Sequence, residues 1–491
     1  MAILTTAFIA WLVSLAGLAI HRLYFSSLAS FPGPKLAAVS RWYEAYYEIL
    51  CSGRYSRRID RMHDVYGPIV RVAPDELHVR DSDFFDDVYM KNPRVEKPGW
   101  DTRFGSKAST FTTADSSLHR RRRAALSSMF SRRSIMTFEP VIRGHVARFN
   151  KRIAKFQETR QPLNVTNAYP ALTGDIIMEY SFGFSYKQAE TPDFASFHEP
   201  FMILGSSGHI ATQFPWFFIV LNLIPDWVVE KLEPALDQWN LVARTIAGEK
   251  FQEQPSHRTI FHEILQSRLP DEDKTQLRLA DEAQTVVGAG VETTSFALCV
   301  GTFHITNTPR IYETLHRELV GAFPDRSAEP DLLILERLPY LKACLLESLR
   351  LSYGLSARNP RKHDKPLPYK QHLIPTGSIV SMTIVDVHHD EAIFPDSHSF
   401  IPERWLNDPV TSDGIPLERY LVTFGRGPRA CLGVNMAWAE LFLAAGTIFR
   451  QWKFELYETD VTDVRLEHDF FIPNPKLDSK GVRVLVSRSE D

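Results

Sequence analysis

The chain has 491 residues, is 44% hydrophobic and 12% aromatic, and carries a formal net charge of -3. That length holds a sizeable core, and no Gly/Ser-rich linker, repeat or low-complexity run divides it after residue 35, so one large globular unit is expected. The near-neutral charge supplies no basic surface for a nucleic-acid partner, and four cysteines without a CxxC pair exclude a disulfide framework.

The chain opens on Ala2–Ile20, an almost wholly apolar stretch without charge. At 1.5 Å per residue it reaches about 28 Å, the thickness of a bilayer's hydrocarbon core. A cleaved signal peptide is the alternative, weakened by the missing basic leader and by the length of the apolar run. His21, Arg22, Lys35 and Arg41 follow it, so the positive-inside rule places the globular part in the cytosol. Residues 1–22 are thus expected to anchor the chain, and 23–35, ending in "FPGPK", to form a proline-stiffened hinge. Residues 36–491 make up the globular domain.

Helical periodicity dominates that domain. Helices are predicted over Arg41–Cys51, Ser116–Phe130, Val141–Phe156, Leu172–Ser181, Leu236–Gln252, Leu279–His304, Arg310–Phe323, Tyr340–Leu351 and Val434–Arg450. Strand-like pieces are shorter and gather near residues 67–80 and 373–385, with another at "GVRVLVS" close to the C-terminus. The fold class is mainly α with a small β-rich subdomain.

Cys299 and Cys344 lie in apolar helical contexts and read as small buried hydrophobes, and Cys51 has no distinguishing context. Cys431 differs, because "FGRGPRACLG" surrounds it with three glycines, a proline and two arginines. Gly425 and Gly427 permit backbone conformations closed to other residues, as a tight turn aimed at the sulfur needs. The predicted helix after Gly433 points its free N–H groups at the same atom, and Gly433 leaves room for a flat group. Three readings remain open on residues alone: a metal-binding thiolate, a cysteine nucleophile lacking a nearby histidine base, and a structural turn.

The stretch reproduces F-G-x-G-x-R-x-C-x-G position for position and so resembles the haem-thiolate monooxygenases, the cytochrome P-450 superfamily. The resemblance implies haem b with Cys431 as axial ligand of its iron, Arg429 on a propionate and Phe424 shielding the sulfur. A thiolate ligand pushes electron density onto iron and favours O–O cleavage.

Three further motifs follow in the order of that superfamily. "GAGVETT" lies in a long apolar helix where two glycines cost about 1 kcal/mol each. Thr293 is placed to bond back to the preceding turn. By resemblance Thr293 hydrogen-bonds bound dioxygen, Glu292 delivers protons through water and Ala289 lies over the haem. "ESLR" and "PERW" resemble a buried structural triad of Glu347, Arg350 and Arg404. In "LHRRRRAAL", His119 and Arg123 share one helix side and resemble the W-x-x-x-R propionate pair, with histidine replacing tryptophan. Arg120, Arg121 and Arg122 are expected to face an acidic electron-donor protein. Arg361, in "NPR", is a further propionate candidate.

The resemblance spans the whole chain and is closest to fungal members of the trichodiene-oxygenase type. It implies a single-pass protein of the endoplasmic reticulum membrane, a separate NADPH-dependent reductase, O2, and a lipophilic substrate of terpenoid or polyketide kind. Candidate pocket segments are Trp100–Phe104, the region near Leu204, Leu355–Ala357 and Phe470–Ile472, with no charge cluster for an acidic or sugar substrate. Phe214–Pro225 reads equally as a buried helix or a second membrane contact. Two other activities stay open: a haem-thiolate isomerase or dehydratase, and a non-catalytic haem-binding protein.

Overall fold

The computed structural model describes residues 1–106, 108–221, 223–224, 231 and 258–489. The helix expected at Leu236–Gln252 lies outside them. The elements that position the site are helices α1 (Ala2–Ile20), α2 (Tyr55–Tyr66), α3 (Trp100–Phe104), α4 (Ser116–Ser127), α5 (Arg132–Thr159), α6 (Val165–Phe182) and α7 (His198–Gln213), followed by α8 (Gln276–Asn307), α9 (Pro309–Ala322), α10 (Pro339–Ser352) and α11 (Val434–Gln451). Strands β1 (Ile69–Ala73), β2 (Glu76–Val79), β3 (Arg361–Lys362) and β4 (Ile379–Ser381) form one sheet in the order β1-β2-β4-β3. β1 and β2 make an antiparallel hairpin, while β4 runs parallel to β2. The two predicted strand regions are therefore partners, 300 residues apart in sequence but adjacent in space.

Local chemistry sets these boundaries. Asp115, Ser131 and Thr275 cap α4, α5 and α8 by accepting from backbone N–H groups in the first turn. Prolines open α9 and α10 where no intrahelical N–H is needed. α6 ends at Gly183, in the left-handed region at φ 83°. The predicted Arg41–Cys51 helix is helical but widens to a π-turn over Tyr46–Leu50.

α8 is the centre of the domain. It is buried along most of its length and crosses α6, itself buried on nearly every face. A Cβ on Gly290 would stand 2.6 Å from the Ile177 side chain, so this glycine serves the close approach of the two helices. α8 runs unbroken through the glycines.

None of the described residues of α1 is buried, and an apolar helical run from Ile3 to Phe25 is long enough to cross a membrane. α8 passes the same length test but is largely interior, so it is a core helix. The segment expected to be a hinge is tied down. Leu28 and Phe31 are buried, Arg71 donates to the Arg22 carbonyl at 2.8 Å, and the Arg71 N–H donates to Pro32 at 2.7 Å.

Candidate active site

The loop that carries Cys431 is built on two positive-φ glycines. Gly425 has φ 63° and Gly427 φ 71°, and a Cβ on Gly427 would stand 2.2 Å from the Tyr89 carbonyl oxygen. Only glycine satisfies both demands there. The Cys431 N–H donates to the Phe424 carbonyl at 2.8 Å and closes the loop, and Gly433 then caps α11.

Cys431 is exposed, yet burial is the largest influence on its thiol and pushes its pKa up. The surface it shows is thus the wall of an internal space. The Gly433 N–H and the Arg123 charge oppose that upward push. In α8, Ala289 is likewise exposed and Thr293 partly so, while Val287, Gly288, Val291 and Glu292 are buried. The Thr293 hydroxyl donates to the Ala289 carbonyl at 2.9 Å, the back-bond its position predicts.

His119, Arg123, Arg361 and Arg429 line one cavity of about 150 Å³. The four sequence-predicted propionate residues come together there from α4, β3 and the cysteine loop. Arg429 is held by the Thr113 and Ala114 carbonyls, both at 2.7 Å, and Arg361 lies over the Tyr89 ring. Lys97, which sequence reasoning missed, is buried beside them with Nζ 3.7 Å and 3.5 Å from the Trp100 and Phe111 ring centroids. Burial brings Arg361 and Arg429 down to about 10, depresses Lys97 well below its ordinary range and presses His119 to about 3, with neighbouring cations adding to it for Arg429, Lys97 and His119. For Arg361 burial is the one lowering influence, and Tyr89 acts the other way. Among the described residues none of these cations has a carboxylate in ion-pair range. Arg123, Arg361 and Arg429 around one cavity, with no carboxylate in ion-pair range among the described residues, make an excess of positive charge that an anionic ligand would neutralise.

Behind the loop, Glu347 and Arg350 are fully buried and joined by two hydrogen bonds, at 2.9 Å and 2.8 Å. Arg404 donates to Glu347 at 3.1 Å and Trp405 Nε1 at 2.8 Å. Arg350 spends its remaining donors on the carbonyls of His388, Ser397 and Ser399. His388 carries this network to the cysteine loop, a role no spacing in "DVHHDE" signals.

The row of arginines divides differently from expectation. Arg122 is buried and pairs with Asp273 at 2.8 Å, and Arg121 binds the same carboxylate. A helix carrying four consecutive arginines must turn one inward, and Asp273 is there to meet it. Arg120 alone of the three remains exposed without an acid among the described residues.

A family model described as Cytochrome P450 matches residues 46–480. The chain belongs to the cytochrome P450 family. Cytochrome P450 monooxygenase sdnE of Sordaria araneosa is 42% identical over 99% of this chain and 98% of its own length. Cytochrome P450 monooxygenase tpcC of Cochliobolus heterostrophus is 41% identical over 96% and 94%, and Tryptophan 6-hydroxylase fscE of Fusarium equiseti 39% over 97% and 96%. A cytochrome P450 implies haem, and the residues present fit it: its two carboxylates match the uncompensated cations, and its iron matches the Cys431 thiol, on which the charge of Arg123 from that set acts.

The four predicted substrate segments of this P450 also converge. Trp100, Phe201, Ala357, Phe471 and Ile472 form one buried apolar cluster, with Phe104, Met202, Leu204 and Leu355 packed on it. Arg103 on α3, Glu48, His209 and Asp469 are neighbours of one another, and Arg103 lies 6.0 Å from the Phe471 ring centroid of this cluster. A larger cavity of about 880 Å³, lined by His304, Asp386 and His389 among others, contains none of the predicted site residues.

Proposed function

We propose that this cytochrome P450 is anchored by α1 in the endoplasmic reticulum membrane, with its domain in the cytosol, and oxidises a lipophilic terpenoid or polyketide in fungal secondary metabolism. The observation that supports this reading is the gathering of Arg123, Arg361 and Arg429 around one cavity with no carboxylate in ion-pair range among the described residues, the Arg123 charge acting on Cys431. Cys431 would ligate the iron, with the Gly433 N–H tempering its charge. Arg123, Arg361, Arg429 and Lys97 would hold the propionates, with His119 beside them. Gly425 shapes the loop, Gly433 and Ala289 leave room for the macrocycle, and Phe424 covers the sulfur side by packing toward Trp438, ring centroids 6.4 Å apart. Bound there, haem supplies the activation of dioxygen.

The chain's own residues do the rest. The aromatic cluster of Trp100, Phe104, Phe111 and Phe471 excludes water and orients an apolar substrate. Thr293, its proton committed to Ala289, keeps lone pairs free to accept from water, and Glu292 is the adjacent proton source. Electrons come from a separate NADPH-dependent reductase, with exposed Arg120 on the face offered to it.

Two surface regions support membrane seating. Trp42 meets Phe214 edge-on at 5.7 Å, and Phe214 meets Trp216 at the same distance. Trp42, Trp216, Ile219 and Leu223 are all exposed, which favours a membrane contact over a buried helix for this stretch.

The test is expression with a reductase. Cys431→Ser is expected to lose the red-shifted Soret band of the reduced carbon monoxide complex, and its retention would remove the ligand assignment. Turnover undiminished without NADPH and reductase would reject the monooxygenase for an isomerase or dehydratase. A haem-loaded protein that oxidises no terpenoid or polyketide would stand as a binding protein.

A further inference from the structure

Glu292 is 2% exposed, and its two oxygens are treated differently. Oε2 lies 2.8 Å from Nδ1 of His198, the first residue of α7, whereas Oε1 is buried without a hydrogen-bond partner. Among the described residues no lysine or arginine lies in ion-pair range of Glu292. His198 is therefore the cation on which this carboxylate depends.

The imidazole is suited to more than charge balance. Its side chain is 29% exposed, against 2% for Glu292, so the pair runs from an open end to a closed one. The charged groups that reach it are Glu292 from α8 and Glu199 on its own helix. Burial opposes protonation of His198, and the Glu292 charge and hydrogen bond outweigh it, leaving its pKa raised. A histidine so placed keeps its proton to higher pH than a free imidazole does.

We propose that His198 is the residue through which protons reach Glu292, an inference that rests on the monooxygenase reading above. The Nδ1 proton of the imidazolium passes to Oε2, giving a neutral imidazole and a carboxylic acid. A half-turn of the carboxyl, which no hydrogen bond on Oε1 opposes, presents that proton to the interior. Loss of the proton restores the carboxylate; the imidazole, left as its Nε2–H tautomer, swings Nδ1 outward about Cβ–Cγ, takes a proton there from water and turns back to restore the pair. One proton enters and one leaves, with no change of redox state. His198 is a positioning residue in this scheme, because it acts only through Glu292.

The experiment compares the full chain, haem-loaded and with reductase, with His198→Gln, which keeps an N–H donor but does not titrate. The carbon monoxide band is read first; its absence from the unaltered protein would overturn the functional reading, and this proposal with it. With the band present in both, turnover of the unaltered protein is expected to fall as pH rises through the His198 pKa. In H198Q that alkaline limb disappears, the rate drops roughly tenfold, less than the 10²–10⁴ of a group that transfers protons directly, and the solvent isotope effect grows. His198→Lys, which still pairs but titrates higher, moves the limb upward. An alkaline limb and isotope effect unchanged in H198Q would overturn the proposal while leaving the P450 assignment standing. Thermal unfolding gives a readout apart from turnover. A raised histidine pKa stabilises fully below the unfolded value near 6.5 and loses that effect as pH rises through the folded value. The excess melting temperature of the parent over H198Q should therefore be larger at pH 6 than at pH 9, and equal excess at both would count against the pairing.

Discussion

The Val422 N–H donates to Nε2 of His388 across 3.0 Å, and Nδ1 of the same ring donates to the Arg350 carbonyl at 2.7 Å. One neutral imidazole thus joins the Glu347–Arg350 network to the segment entering the cysteine loop. Replacing it with His388→Leu strands a buried N–H and a buried carbonyl, at about 1–3 kcal/mol each. The expected result is a lower urea midpoint together with faster haem loss. An unaltered midpoint would show that the loop is held elsewhere.

The carbon skeleton of this site was legible because its constraints are local. Gly427 is required by φ and by Tyr89, and Arg350 sits three residues from Glu347 on one helix turn. Lys97, His198 and His388 were not legible. Lys97 rests on the nearby Trp100 and Phe111 rings, a contact no periodicity marks, while the partners of the two histidines lie far along the chain, 94 residues for His198 and Glu292 and 34 for His388 and Val422. Periodicity reports which face of a helix is apolar; it carries no information about what a lone side chain meets across the core. The inward turn of Arg122 was hidden for the same reason, since Asp273 lies 151 residues away.

Acid should unfold this protein readily. His63, His145, His209 and His304 are depressed to about 4, His388 to about 3, each chiefly by burial. Between those values and the ordinary value near 6.5, the unfolded chain binds more protons than the folded one, so stability rises with pH. Asp386, raised to about 7 by burial, and the raised carboxyls of Glu48 and Glu440 act in the opposite sense but are fewer. The urea midpoint is expected to fall steadily from pH 6.5 to pH 4. A flat profile would mean that these rings become hydrated before the fold gives way.

Lys97→Met offers opposite signs in two measurements. In the haem-free chain it removes one of several mutually repelling buried cations, so the melting temperature should rise. In the loaded protein it removes a propionate partner, so haem should be lost faster, on the order of tenfold for about 1.4 kcal/mol of lost attraction. Equal haem retention in both proteins would take Lys97 out of the binding set.

The glycines of the cysteine loop should not be equivalent. A Cβ on Gly433 would stand 3.9 Å from the Cys431 sulfur, an ordinary contact, and its φ is -84°. Gly427 meets backbone at 2.2 Å with φ 71°. Gly427→Ala is expected to abolish haem uptake by displacing the loop from Tyr89. Gly433→Ala should leave the loop folded and weaken uptake only if the macrocycle lies against that position, as apo-protein stability and haem titration would separate.

On the function proposed above, membrane seating would divide between α1 and the patch around Trp42. Residues 2–20 contribute no buried side chain among those described, so their deletion leaves the core intact. What remains is Trp42, Trp216, Ile219 and Leu223, at 69%, 56%, 58% and 77% exposure. Sinking a large apolar side chain into the bilayer's edge is worth about 1.5–3 kcal/mol. The shortened chain is therefore expected to bind phospholipid vesicles reversibly. Trp42→Ser with Ile219→Ser would remove about 3 kcal/mol, roughly a hundredfold in the partition constant at 1.4 kcal/mol per decade. Vesicle flotation measures both steps. Failure of the shortened chain to bind at all would leave α1 as the sole contact and make the exposed patch a surface for something other than lipid.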